Sequence, residues 1–147
     1  MSPRFEPKGS EISDPFWDAT KDGKYLVQWC TACNTPIFYP REVCPQCLSA
    51  DSLGWRESSG KGTVYAVSVQ YRSMMMAEKL PYAVALVEVD AGNGTDTIRV
   101  MSNVVNCDPT TINVGDAVSL TWEELSDGRN LPLFVPANES RATPAGG

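Results

Sequence analysis

The 147-residue sequence predicts a mainly β protein with one short N-terminal helix, a four-cysteine metal-binding ribbon and a C-terminal five-stranded barrel. Three observations support this fold class: two CxxC pairs separated by ten residues, five strand-like segments after them, and one short helical segment before them. We therefore divide the chain into an arm with a helix (1–24), a ribbon (25–53), a barrel (54–137) and a flexible tail (138–147).

The short helix is predicted from a cap at Ser13 or Asp14, with the following proline at its first position, to about Gly23. Two large apolar residues, Phe16 and Trp17, fall on this helix. Residues of this size need a packing surface, which is either the core of the chain itself or a partner protein. The sequence leaves both interpretations open.

The two CxxC pairs contain Cys30, Cys33, Cys44 and Cys47, in the segments CTAC and CPQC. Each pair can wrap its backbone around an ion as a knuckle, and two facing pairs supply four thiolates to a tetrahedral zinc ion. Four protein ligands leave no position for water or substrate, so the predicted zinc is structural rather than catalytic.

Two other interpretations of the four cysteines stay open at this stage. Disulfides are the first, although the cysteine count of 5 is odd and the N-terminal segment has no secretory signal pattern. Iron is the second, because the same set of thiolates serves redox centres. A visible absorption band in the purified protein would identify iron.

The ribbon is predicted from a strand at YLVQW, a turn at each CxxC pair, and the segment IFYPREV between the two turns. Within that segment Arg41 follows a proline just before the second knuckle. An arginine at this place can face a phosphate or a carboxylate of a ligand or partner. The alternative is a solvent-exposed cation beside the thiolates.

The barrel is predicted from five β-branched or alternating segments with Gly- or Asn-containing turns between them. The segments are GTVYAVSVQY, PYAVALVEVD, TIRVMSNVV, DAVSLTWEEL and LPLFVPA. Five strands fit an OB-type barrel better than a sandwich, which usually has about seven.

The sequence resembles the family called domain of unknown function 35, which joins a rubredoxin-like zinc ribbon to an OB-fold. The resemblance covers nearly the whole chain and is carried by WCTACNTPIFYPREVCPQCLS, GWRESSGKGTVYAVSV, LPYAVALVEVD, NVGDAVSLTWEEL and LPLFVPA. Two features depart from the family pattern. Asn34 and Leu48 follow the knuckles where glycine is frequent, and Cys107 is an extra cysteine. The knuckles then need a non-glycine residue in a tight turn.

The resemblance implies a noncatalytic subunit that assembles with a thiolase-fold enzyme acting on CoA thioesters. The expected reaction is thiolysis or the retro-aldol cleavage of a side chain, on a bulky steroid-like or aromatic acyl-CoA. The expected assembly is a heterotetramer with two copies of each chain and acyl-CoA at the shared interface. In this interpretation the chain shapes or gates the acyl-CoA channel and stabilises its partner.

The segment YRSMMMAEKLPY places Arg72 beside three consecutive methionines, Met74, Met75 and Met76. Methionine side chains adapt to irregular apolar surfaces, so this segment is a candidate contact with CoA or the partner. Packing of the methionines within the chain is the alternative, since three consecutive residues cannot all face one side of a strand.

Composition limits the other function classes. The chain has no histidine, which removes the commonest general base and the Ser-His and Cys-His nucleophile pairs, and we assign no catalytic residue. Cys107 is predicted to be an idle thiol, because it has no histidine to activate it. We expect a cytoplasmic protein, since no apolar run is long enough to span a membrane.

Nucleic-acid binding is the remaining alternative, because zinc ribbons and OB-folds both occur in nucleic-acid-binding proteins. The formal charge of −6, from 12 Lys and Arg against 18 Asp and Glu, argues against it.

Overall fold

The computed structural model of the protein describes residues 5–74 and 79–137. These residues form one α-helix, eight strands and a 3₁₀ turn at Pro109–Thr111. In chain order the elements are α1 (Asp14–Thr20), β1 (Leu26–Cys30), β2 (Thr35–Ile37), β3 (Leu53–Glu57), β4 (Lys61–Gln70), β5 (Tyr82–Asp90), β6 (Thr97–Val104), β7 (Ala117–Glu124) and β8 (Asn130–Pro136).

The ribbon is a three-stranded antiparallel sheet in the order β2-β1-β3. β1 is the central strand, and its residues Leu26 to Cys30 pair with Glu57 to Leu53 of β3. No strand is predicted at residues 53–57 from the sequence, so β3 is an addition to the expected ribbon. β3 also crosses the boundary placed between residues 53 and 54, and the division into domains stays a prediction.

The five remaining strands close into a barrel in the order β4-β5-β6-β8-β7. β7 pairs with β4, and the only parallel contact among the described strands joins Val104 of β6 to Phe134 of β8. Each strand lies within one residue of its predicted segment at both ends. The predicted mainly β fold, with a short helix and a five-stranded barrel, is confirmed.

The ribbon and the barrel share one hydrophobic core. Alternate residues of the ribbon strand β1 (Tyr25 just before it, Val27 and Trp29) are buried in the same cluster as Val87 and Phe134 of the barrel. Alternation arises because successive side chains of a strand point to opposite faces. One face of the ribbon is therefore covered by the barrel.

The helix begins and ends close to the predicted positions. Ser13 occupies the cap position, but its side chain makes no capping bond to the helix. Its hydroxyl instead accepts a 2.9 Å hydrogen bond from the backbone N–H of Ser10. The predicted position of the cap is thus correct, but the capping bond is absent: Ser13 has helical backbone angles, φ −93° and ψ −10°, rather than the extended conformation of a capping residue. A turn after α1 ends at Gly23, whose φ is +72°.

The N-terminal arm is attached to the turn between β7 and β8. The Glu6 carboxylate accepts hydrogen bonds from the Ser126 backbone N–H at 2.9 Å and hydroxyl at 2.7 Å. Arg129 donates from Nη2 to the carbonyl of Pro7 at 2.8 Å and lies 5.0 Å from the ring centroid of Trp17. These contacts fix the arm and α1 against the barrel.

Candidate functional site

The four predicted cysteines meet at one end of the ribbon. Cys30 ends β1, Cys33 lies in the turn after it, and Cys44 and Cys47 lie in the second turn. Their sulfur atoms all lie within 4.8 Å of one another. The two CxxC turns therefore face each other as the spacing predicts.

The sulfur geometry fits a zinc ion. Cys30 Sγ lies 3.7 Å from Cys47 Sγ, and Cys44 Sγ lies 3.9 Å from Cys33 Sγ. A tetrahedral site with Zn–S bonds of about 2.3 Å has sulfur–sulfur edges of about 3.8 Å. The four thiols are thus spaced to hold one zinc ion and to leave no open coordination position.

Backbone N–H groups point at the sulfur atoms. The N–H of Cys33 donates to Cys30 Sγ, and the N–H of Gln46 donates to Cys44 Sγ, both at 3.4 Å. Such bonds stabilise negative charge on a metal-bound thiolate, as outer-shell partners of metal ligands commonly do. The knuckles therefore supply orientation as well as ligands.

Each knuckle closes with a non-glycine residue in the left-handed region, as the sequence requires. Asn34 has φ of +53° and Leu48 has φ of +60°. The side-chain carbonyl of Asn34 accepts a 3.4 Å hydrogen bond from Trp29 Nε1. The N–H of Leu48 bonds to the carbonyl of Cys44 at 2.8 Å. These bonds help to offset the steric cost of positive φ, which is about 1–2 kcal/mol per residue.

The thiols differ in acidity before metal binds. The Ser52 hydroxyl, 3.3 Å from Cys30 Sγ, and the backbone N–H of Cys33 lower the pKa of Cys30 to about 6. The Cys47 sulfur, together with burial, raises the pKa of Cys33 to about 12. A divalent cation displaces the protons that remain, so zinc binding releases protons and strengthens as pH rises.

Phe16 and Trp17 pack within the chain. The Phe16 ring makes edge contacts with Trp17 and Tyr25, with each pair of ring centroids 5.0 Å apart, and it packs against the shared core. Both side chains remain partly exposed. Packing on the core is thus observed for Phe16, whereas Trp17 contacts Phe16 and Arg129. Contact of either residue with a partner stays a prediction.

Arg41 is exposed and its backbone is fixed by a buried amide. Gln28 Oε1 accepts from the Arg41 N–H at 2.7 Å, and Gln28 Nε2 donates to the Arg41 carbonyl at 2.9 Å. This reciprocal pair holds the segment between the knuckles against β1. The guanidinium is left at the surface, where contact with an anionic group is sterically open.

The methionine segment is described only in part. Arg72 and Met74 are exposed, and Met74 is 98% exposed. Met75 and Met76 lie outside the described residues. The predicted contact of this segment with CoA or a partner stays a prediction.

Cys107 lies apart from the four-cysteine cluster. Its side chain is partly buried and packs against the shared core. It also borders a small cavity whose lining includes the ion pair between Lys79 and Glu123. No observation tests the prediction that Cys107 has no chemical role, and it stays a prediction.

A groove of about 340 Å³ lies where the helix, the ribbon and the barrel meet, and we call it the junction groove. The groove is bordered by the arm, by α1, by β6 and β8, and by the residues that follow β2. Its principal apolar lining consists of Phe16, Trp17, Phe38, Tyr39, Met101 and Leu131. Of these, only Phe16 and Trp17 are candidate site residues from the sequence, because the other residues come together only in the fold.

A metal ribbon of this geometry followed by a barrel of this strand order defines a zinc-ribbon and OB-fold protein. Comparisons with known proteins agree. Residues 17–52 match the ChsH2 rubredoxin-like zinc ribbon domain, and residues 55–123 match the ChsH2 C-terminal OB-fold domain. The chain belongs to the DUF35 family of ChsH2-like proteins. The zinc ribbon of this family confirms one structural zinc ion as the expected cofactor.

Three similar proteins illustrate the range of this family. A DUF35 domain-containing scaffold protein of Methanothermobacter thermautotrophicus is 32% identical over 67% of this chain and 71% of its own length. A probable enoyl-CoA hydratase alpha subunit of Thermomonospora curvata is 37% identical over 83% of this chain. The chain spans only 37% of that subunit's length.

The third is a solved structure, the Ltp2-ChsH2(DUF35) aldolase. One of its chains is 32% identical to this protein, with a TM-score of 0.79 over 90% of this chain and 99% of that chain. The similarity therefore extends over ribbon and barrel together.

Among residues 5–74 and 79–137, no helix has the length and apolar character that crossing a membrane requires.

Proposed function

We propose that this chain is a noncatalytic, zinc-binding accessory subunit of a thiolase-fold enzyme that cleaves carbon–carbon bonds of CoA thioesters. The observation that carries the proposal is the similarity to the DUF35 chain of the Ltp2-ChsH2 aldolase over 99% of that chain. In this proposal the partner supplies the catalytic residues. This chain stabilises the partner and shapes or gates the entrance for acyl-CoA.

The chemistry of the chain supports a noncatalytic role. The zinc ligands fill all four positions of a tetrahedral site, so the ion has no place for substrate or water. The sequence has no histidine, so the commonest general base has to come from another chain. Both facts fit a chain that contributes a binding surface to an enzyme whose catalytic residues belong to another chain.

The substrate in this proposal is a bulky steroid-like or aromatic acyl-CoA, and the assembly contains two copies of each chain. Arg41 and Arg72 are the exposed cations that we assign to CoA or partner contacts. An arginine pairs with phosphate through two parallel hydrogen bonds, which suits the phosphates of CoA.

The test is to purify the tagged chain from its native cells under gentle conditions and to weigh the intact complex by mass spectrometry. We expect a thiolase-fold protein in equal copy number. Recovery of the chain alone, under conditions that preserve weak assemblies, would contradict the proposal.

The purified complex then distinguishes the two cleavage reactions. Retro-aldol cleavage splits a β-hydroxyacyl-CoA into a carbonyl compound and a shorter acyl-CoA, and it consumes no free CoA. Thiolysis of a β-ketoacyl-CoA consumes one CoA for each bond cleaved. The catalytic subunit assayed with and without this chain, and with and without added CoA, separates these cases. The C107S variant is expected to retain activity, because the proposal assigns Cys107 no chemical role.

A second candidate is an accessory subunit of an enoyl-CoA hydratase, favoured by the relative that is 37% identical. Hydration adds water across the enoyl double bond and cleaves no carbon–carbon bond. If the recovered partner removes enoyl absorbance without forming a shorter acyl-CoA, the hydratase interpretation replaces the first.

A further inference from the structure

We propose that the junction groove is the docking site for an apolar side-chain anchor on the catalytic partner, with Arg41 at its rim facing a carboxylate of that partner. The inference rests on the proposed function and adds the surface and the chemistry of the contact.

The groove is apolar and opens to the surface. Aromatic rings from α1 and from the segment after β2 line it together with Met101 and Leu131. Tyr39 is 63% exposed and Met101 is 62% exposed, so the apolar surface continues over the rim. Tyrosine, methionine and arginine are enriched in protein interfaces, and large apolar anchors that fill pockets carry much of their binding energy.

Three of the polar side chains that line the groove, those of Gln28, Ser102 and Asn103, are engaged by the chain itself. Both polar atoms of the Gln28 amide bond to the backbone of Arg41. The Ser102 hydroxyl donates to the carbonyl of Pro132, and Asn103 Nδ2 donates to the carbonyl of Ala83, both at 2.9 Å. A small-molecule site usually presents a few placed polar groups that orient its ligand. This wall has few such groups to offer, which favours an apolar anchor whose orientation is set by a surrounding protein surface.

The walls of the groove are preformed. The arm that carries Pro7 into the wall is attached to the barrel through Glu6 and Arg129. The Phe38 and Tyr39 rings stack with centroids 4.2 Å apart and an angle of 33°. A rigid groove loses little conformational entropy when an anchor enters it, which increases affinity.

The surface around the groove extends onto the barrel and carries a cation. Met101 of β6 pairs across the sheet with Leu86 of β5, which pairs with Ala66 of β4. The three side chains share one face, because directly paired residues point to the same side of a sheet. Arg41 follows Pro40, which lines the groove, and its side chain is exposed. A partner with an apolar anchor beside an acidic residue would complement this surface.

The test measures binding of the purified thiolase-fold subunit to the zinc-loaded chain by titration calorimetry. The decisive variant is Met101→Asp, which places a charge in the apolar wall at an exposed position that folding tolerates. Val114→Asp is the matched control, because Val114 is similarly exposed, at 67%, and is not among the residues that line the groove. Met101→Leu preserves the apolar wall.

We expect Met101→Asp to weaken binding by about 30-fold or more, as loss of an interface hot spot does. Val114→Asp and Met101→Leu should stay within about twofold of wild type. Arg41→Glu should weaken binding and reduce its salt dependence. Zinc content and melting temperature of each variant verify that the fold is intact.

Unchanged affinity of Met101→Asp and Arg41→Glu, with a wild-type chain that binds the subunit, would overturn this inference alone. A wild-type chain that binds no thiolase-fold subunit would overturn the proposed function as well. Native mass spectrometry tests the alternative occupant of the groove, which is a small molecule. An apolar small molecule that co-purifies with wild type and is lost from Met101→Asp would replace the protein anchor with a ligand.

Discussion

The ribbon and the barrel are stabilised in different ways. The barrel encloses fully buried side chains such as Val64, Val87 and Phe134. The metal end of the ribbon buries only Ile37 and two of the cysteines, with Cys33 and Leu53 packed beside them. So small a cluster cannot offset the conformational entropy of two turns. Metal–sulfur bonds are needed there, whereas the opposite face of the ribbon relies on the barrel core.

The largest effect is expected at a zinc ligand. Cys44→Ser removes a buried thiolate, so we expect loss of zinc and a loss on the order of 5 kcal/mol or more of stability in the ribbon. Metal analysis and thermal unfolding measure both quantities. Cys107→Ser is the matched control, since it replaces the cysteine outside the cluster and should retain one zinc per chain. Zinc retention by Cys44→Ser would contradict the claim that the ribbon, unlike the barrel, depends on the four metal–sulfur bonds.

A core substitution in the barrel should lower the stability of the fold but leave zinc binding intact. Phe134 is fully buried and forms the parallel contact with Val104. Phe134→Ala leaves a cavity, and we expect a cost of about 4 kcal/mol in the free energy of unfolding. The folded fraction should still bind one zinc ion, because the ligands are unaffected. Denaturant titration followed by metal analysis tests both statements, and zinc loss from the folded variant would mean that the barrel positions the ligands.

Gly60→Ala tests backbone strain at the start of the barrel. Gly60 has φ of +78°, and an added Cβ would lie 2.7 Å from Leu120 Cβ. Strain and overlap together should cost about 2–3 kcal/mol. Gly94 has nearly the same φ, +79°, with nothing within 4 Å of an added Cβ. Gly94→Ala should therefore cost only about 1 kcal/mol. Equal losses in chemical denaturation would show that overlap with Leu120 is unimportant.

The smallest effect concerns Asp90, which holds the β5–β6 turn. Burial acts to raise the pKa of this carboxyl, but hydrogen bonds from the N–H groups of Ser59, Gly92 and Gly94 outweigh it and lower the pKa below 3.8. A lowered folded-state pKa means that the carboxylate stabilises the fold above about pH 4, and that this contribution is lost as pH falls through the folded pKa.

Asp90→Asn should therefore cost about 1 kcal/mol at neutral pH, since one acceptor oxygen is replaced by an amide donor facing the Ser59 N–H. The difference from wild type should shrink toward pH 3 in urea titrations. Asp22→Asn, at an exposed position, is the control and should change stability little at either pH. A difference for Asp90→Asn that is constant with pH would contradict the assigned pKa direction.

The sequence predicts the parts of this molecule that depend on local pattern. The CxxC spacing identifies the metal site, and the alternating segments identify all five barrel strands. The positions after the knuckles, Asn34 and Leu48, are recognisable as tight turns without glycine, and both have positive φ. In each case the signal lies within a few neighbouring residues.

What the sequence does not predict depends on contacts between distant residues. β3, with the sequence LGWRE, has weak strand character and forms because β1 offers it a paired edge. The junction groove brings Tyr39 next to Met101 and Leu131, which are 62 and 92 residues away along the chain. Nothing in the sequence near any of them indicates the other two, and only the fold makes them one surface.

Hydrogen exchange of the zinc-loaded and the chelated chain tests the contrast between ribbon and barrel most directly. We predict that chelation accelerates exchange in residues 30–48, including the N–H groups of Cys33 and Gln46 that bond to sulfur. Amides of β4, β5 and β6 should keep their protection, since the barrel core contains no metal ligand. Unchanged exchange throughout after verified zinc removal would contradict a structural metal. Equal acceleration in ribbon and barrel would contradict their separate means of stabilisation.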